Sequence, residues 1–144
     1  MDQVHGTSVE IEGAGLLIRG DPGSGKSDLA LRLIDTGARL IADDRVDLRR
    51  MDGSLILSPP PASAGMIEVR GLGILRLPFA RDVPLGLIVD LIPGEEVERL
   101  PERQTCRFLD QDVPWIAIAP FQASAPAKLR HALALAQHRL ERVE

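Results

Sequence analysis

Residues Gly20-Asp21-Pro22-Gly23-Ser24-Gly25-Lys26-Ser27 complete the pattern Gly-x-x-x-x-Gly-Lys-Ser/Thr without a mismatch, and no other stretch constrains the fold as much. Such a loop needs a strand that delivers it and a helix that leaves it. The chain supplies both: Leu16-Leu17-Ile18 reads as a core strand, and Asp28-Leu29-Ala30-Leu31-Arg32-Leu33-Ile34 as a helix. Glycines let the backbone curl closely around an anion, so that several N–H groups point inward. The helix aims its positive end at the same place. Lys26 would then reach the β- and γ-phosphates of a nucleotide, and the Ser27 hydroxyl would ligate Mg²⁺. Only two lysines, Lys26 and Lys128, occur among the seventeen Lys and Arg residues, and one of them fills this position. The bland alternative is a glycine-rich turn before a helix.

The rest of the chain reads as strand-rich. A length of 144 residues suits one domain, spanning 1–144. Thr7–Ile11 alternates as a strand, and Arg39–Ala42 forms a second core strand after a helix capped by Gly37. Asp52-Gly53 predicts a hairpin between 47–51 and 54–57. Further strands are expected at 66–69, 74–77, 85–91, 106–109 and 113–118, with a charged, mobile segment from Pro93 to Gln104. A last helix begins at Ser124 as cap, and Leu129, Ala132, Leu133, Ala136 and Leu140 form its apolar stripe. Two helices against so many strands exclude an alternating βαβα domain. The expectation is an α/β phosphate-loop domain on a mixed, largely antiparallel sheet.

Composition narrows the partners. A net charge of −4, three Phe, one Trp and no Tyr argue against nucleic-acid binding. No apolar run approaches the roughly 20 residues that span a bilayer, and no export signal is visible, so the expectation is a cytoplasmic protein without a membrane partner. Cys106 is the sole cysteine, which excludes an internal disulfide, and it reads as packed rather than reactive.

Asp43-Asp44 closes the strand expected beside the loop. One carboxylate there can hold Mg²⁺ and a second can accept the proton of an attacking hydroxyl; the alternative is a solvated turn paired with Arg45. Glu68 precedes Gly71-Leu72-Gly73 and either completes a metal shell or faces solvent. His5 opens the chain's first strand region, while His131 and His138 read as solvated. Arg99, in the mobile segment, either swings over a transferring phosphoryl group or simply belongs to a charge-rich, solvated loop.

Together these pieces resemble one family. His5-Gly6, the octet Gly20–Ser27, Leu40-Ile41-Ala42-Asp43-Asp44-Arg45-Val46, Ile67-Glu68-Val69-Arg70-Gly71-Leu72-Gly73-Ile74 and Glu98-Arg99-Leu100 occur in the order found in the catalytic domain of bacterial HPr kinase/phosphorylase, over residues 4–100. The chain is similar to the short, alphaproteobacterial form, without the separate N-terminal domain. The resemblance implies a fold akin to phosphoenolpyruvate carboxykinase, with ATP and Mg²⁺ as cofactors. It further implies phosphorylation of a serine on the phosphocarrier HPr, and the reverse attack of phosphate on phosphoserine to give pyrophosphate. By position, Asp43 would be the general base, tuned by His5. Ser27, Asp44 and Glu68 would hold Mg²⁺, Lys26 would bind phosphates, and Arg99 would be the mobile arginine. A homo-oligomer, a hexamer in the family, is implied as well. A segment at Pro120-Phe121-Gln122-Ala123-Ser124 replaces the family's Pro-Gly-Arg-Asn-like turn. The competing functions are a nucleotide-sensing module and a small-molecule kinase on the same fold.

Overall fold

A computed structural model describes residues 1–143. Its described residues form eleven strands and two longer helices, with short 3-10 turns at Pro61–Ser63 and Gly94–Glu96. In chain order the strands are β1 (Asp2–His5), β2 (Thr7–Ile11), β3 (Ala14–Arg19), β4 (Arg39–Ala42), β5 (Arg45–Met51), β6 (Ser54–Ser58), β7 (Met66–Val69), β8 (Gly73–Arg76), β9 (Val83–Leu91), β10 (Gln104–Phe108) and β11 (Gln111–Ile118). Helix α1 (Lys26–Asp35) follows β3, and α2 (Ala125–Ala136) follows β11.

Nine strands share one mixed sheet, in the order β1-β5-β6-β9-β3-β2-β4, with the β10–β11 pair joined to β9. Only the β3–β9 and β9–β11 pairings are parallel, and the other pairings are antiparallel. The long strand β9 is the pivot. Its first residues, Val83 and Pro84, pair with β6, while Leu85–Asp90 run beside β3. The β7–β8 ribbon stands apart as a two-stranded sheet.

Strand β3 is apolar on both faces because it divides two cores. Leu16 and Ile18 pack with Leu29 and Leu33 of α1 and Leu129 and Leu133 of α2. Leu17, on the other face, joins Ile41, Val46, Leu48, Leu57 and Ile88, where the β5–β6 hairpin folds over the sheet. A strand buried on both faces needs an unbroken apolar run rather than alternation, as Leu16-Leu17-Ile18 has. Leu29 is fully buried at the junction of α1 and the sheet. Leu29→Ala is expected to lower stability by about 2–5 kcal/mol in denaturant unfolding.

Several local expectations change. The hairpin forms as expected, with both Asp52 and Gly53 in left-handed backbone (φ 51° and 78°). The leading strand β1 was not anticipated: it is mostly exposed and polar and gains its shape only by pairing with β5. Ser124 precedes α2 but makes no side-chain cap. The helix ends at Ala136, so Leu140 lies beyond the packed stripe and is exposed. Arg45 turns to Gln3 (3.5 Å) rather than to the acidic pair. No helix among the described residues is long and apolar enough to cross a membrane.

Candidate active site

The octet Gly20–Ser27 joins the end of β3 to the start of α1. The Ser24 amide donates to the Asp21 carbonyl (3.0 Å), which tightens the loop. Gly23 and Gly25 take left-handed φ of 80° and 104°, a conformation that a side chain would strain. Gly25 is also the helix N-cap, and its carbonyl accepts the first helical bond from Leu29 N–H (2.9 Å). Lys26 Nζ donates to the carbonyls of Gly20 (2.7 Å) and Asp21 (3.0 Å), holding the ammonium over the loop. Ser24 Oγ is buried without a protein partner. A buried hydroxyl left unpaired in a loop that opens a helix fits a phosphate as its missing partner.

Asp43 is the hub beside the loop. Its Oδ1 accepts from Ser27 Oγ (2.7 Å) and from Thr7 Oγ1 (2.9 Å), and its Oδ2 from the Glu68 amide (3.1 Å). One carboxylate thus joins the loop to β2 and to the β7–β8 ribbon. Three donors on its two oxygens anchor this carboxylate firmly beside the loop. Sequence reasoning missed Thr7, which is fully buried, because a threonine in a strand reads as an ordinary β-former.

Asp44 is arranged differently. It is exposed and held at φ 71°, a left-handed conformation uncommon for a non-glycine residue. Its carbonyl accepts the Gly6 amide (3.0 Å), and His5 sits opposite Arg45 in the β1–β5 register. The main chain of the His5-Gly6 corner therefore adjoins Asp44. Gly6 has no room for a side chain, since a Cβ would come 2.9 Å from Ile18 O and from Leu17 Cδ1.

Glu68 brings its main chain to Asp43 while its side chain is exposed. No cluster of three or more His, Cys, Asp or Glu side chains converges among the described residues. Of the acids, it is Asp43 that meets the Ser27 hydroxyl (2.7 Å), while Asp44 and Glu68 are exposed. Arg99 is exposed in the segment after β9. The start of that segment, Pro93-Gly94, shares a cavity wall with Asp21 and Ser24.

A second polar group supports the loop from the far face of the sheet. Arg19, the residue before Gly20, pairs with Asp90 of β9 through Nε (2.9 Å) and Nη2 (2.7 Å). Trp115 Nε1 donates to the same carboxylate (2.7 Å). The hydrogen bonds that Arg19 donates to Asp90 favour its charged form, outweighing its partial burial. Nearby, burial pushes the Cys106 thiol above its ordinary range, which makes it a sluggish nucleophile at neutral pH and agrees with the expected packed role.

Comparison with known proteins follows this geometry. A sequence model described as "HPr Serine kinase C-terminal domain" matches residues 1–141, beyond the stretch that carries the motifs. The HPr kinase/phosphorylase of Clostridium tetani is 51% identical over 76 residues, 53% of this chain and 25% of that protein. That of Lactiplantibacillus plantarum is 40% identical over 127 residues, covering 80% of this chain and 40% of that protein. The chain therefore spans well under half the length of these curated relatives. The solved structure of the Hpr(Ser) kinase/phosphatase from Coxiella burnetii superposes with a TM-score of 0.80 at 28% identity, over 96% of this chain and 91% of that one. Matched over residues 1–141, nearly its whole length, the chain belongs to the HPr serine kinase C-terminal domain family.

Proposed function

We propose that this chain transfers the γ-phosphoryl group of ATP to a serine of an HPr-like phosphocarrier in the cytoplasm, and that it also runs the reverse reaction. The observation that carries the reading is the Asp43 hub on Ser27, set beside an exposed Asp44. The names of the relatives, HPr kinase/phosphorylase, support the same activity.

The roles of the two acids then exchange relative to their sequence-based assignment. Ser27 and Asp43 would hold Mg²⁺, with substrate phosphates completing its shell and Glu68 reaching it from the adjoining ribbon. That ion would neutralise charge building on the phosphoryl oxygens. The loop amides and Lys26 orient the β- and γ-phosphates. Asp44, an exposed residue next in the chain to the hub acid Asp43, takes the proton as the serine oxygen bonds to γ-phosphorus and the bond to ADP breaks. In reverse, inorganic phosphate attacks phosphoserine, Asp44 returns the proton to the serine oxygen, and pyrophosphate leaves. His5, at the corner tied to Asp44, biases that proton. Arg99 would have to swing in from its exposed position to meet the transferring group.

The test is a coupled assay of ADP release by the purified chain with Mg-ATP. The reading predicts release that requires an HPr-like carrier and stops when the acceptor serine is replaced by Ala. It also predicts pyrophosphate release from the phosphoserine carrier on addition of inorganic phosphate. ADP release independent of the carrier would contradict a protein-serine kinase.

A further inference from the structure

The turn between β11 and α2 places an aromatic ring at the mouth of the phosphate loop. Phe121 is 73% exposed, unusual for so large an apolar side chain. Its ring nevertheless lies against the loop: a Cβ added at Gly25 would stand 2.9 Å from Phe121 Cζ. The turn beneath it is firmly held. Arg32 of α1, itself bonded to Asp28, donates to the Pro120 and Gln122 carbonyls. Lys128 Nζ donates to Gln122 Oε1 (2.9 Å), and the Ala125 amide to the Gln122 carbonyl (3.0 Å). The ring and the loop share a cavity of about 540 Å³, walled also by Ser24, Leu91, Pro93 and Pro120. That volume is within the range of small-ligand sites.

We infer that Phe121 is the stacking platform for the base of the bound nucleotide. The reasoning is chemical: the loop amides satisfy the phosphates, which leaves the base to find a flat apolar partner next to the loop. A fixed, solvent-facing phenyl ring offers its whole face for this at little ordering cost. The inference rests on the nucleotide reading of the Gly20–Ser27 loop and adds the site that tells a nucleoside triphosphate from a bare polyphosphate. A purine, with the larger π-face, stacks better than a pyrimidine.

The experiment compares the affinity of the chain for Mg-ATP and for inorganic tripolyphosphate with Mg²⁺, by calorimetry, in the wild type, Phe121→Ala and Phe121→Trp. Aromatic stacking of a base is worth enough to expect an ATP preference of about ten-fold in the wild type. Phe121→Ala should erase that preference and leave tripolyphosphate affinity unchanged, and Phe121→Trp should keep it. An ATP preference that survives in Phe121→Ala would overturn the inference while leaving the phosphate loop intact. Equal weakening toward both ligands would reduce Phe121 to a support of the loop, and equal strengthening would show that the ring obstructs it; either result also overturns the inference. A wild type that binds neither ligand would instead overturn the nucleotide reading itself.

Discussion

Asp44→Asn is expected to slow phosphorylation of the carrier by about 10²–10⁴-fold, the usual contribution of a positioned proton acceptor. Asparagine tolerates left-handed backbone as aspartate does, so the φ of 71° and the Gly6 bond to the Asp44 carbonyl are kept. The loss should fall on kcat, with ATP affinity retained. Asp43→Asn should behave otherwise. It replaces one of the two oxygens that accept from Ser27, Thr7 and the Glu68 amide by an NH₂ group and removes the negative charge, and so weakens Mg-ATP binding. It should also lower stability by about 1–3 kcal/mol in denaturant unfolding, the cost of partly buried donors left unpaired. If instead Asp43→Asn lost transfer with ATP affinity intact, and Asp44→Asn remained active, the roles read from sequence would stand.

Lys26→Ala is the second large effect. The ammonium is the sole lysine charge at the loop, and removing a preorganised charge or donor from a phosphoryl-transfer site costs about 10²–10³-fold in rate. ATP affinity should fall as well, because Lys26 meets the phosphates in the ground state too. Thermal stability should hardly move, since the lysine bonds only exposed loop carbonyls. Lys26→Arg is not expected to rescue the rate, because a planar guanidinium does not replace a compact ammonium curled over the loop. Carrier phosphorylation by Lys26→Ala at the wild-type rate would refute the loop's part in transfer.

The phosphate loop and its flanking strand and helix were legible because their signals are local. Apolar periodicity, paired glycines and one invariant-spacing lysine need no tertiary information. The two-helix, many-strand count likewise followed from turn residues such as Asp52-Gly53. What failed depended on pairing across the chain. Strand β1 carries no apolar alternation and exists through its partner β5. Which of two adjacent acids meets Ser27 is decided by the left-handed turn at Asp44 and by the register of β2, and neither is written locally. Thr7 lies 36 residues before Asp43, and the Glu68 amide 25 residues after it. Backbone donors and distant hydroxyls leave no residue-type signature. The Arg19–Asp90–Trp115 group was missed for the same reason: its members come from three strands joined only by the parallel pairing on β9. Phe121 was noticed as a departure from the family's turn, but its place over Gly25 appears only once α2 is packed.

The most direct test of the central claim is the intact mass of a purified HPr-like carrier after incubation with this chain and Mg-ATP. The account predicts a gain of one phosphoryl group that survives acid, as a serine phosphate ester does, and that is removed by inorganic phosphate with release of pyrophosphate. An unchanged carrier mass, with ATP shown to be bound by the chain, would contradict it.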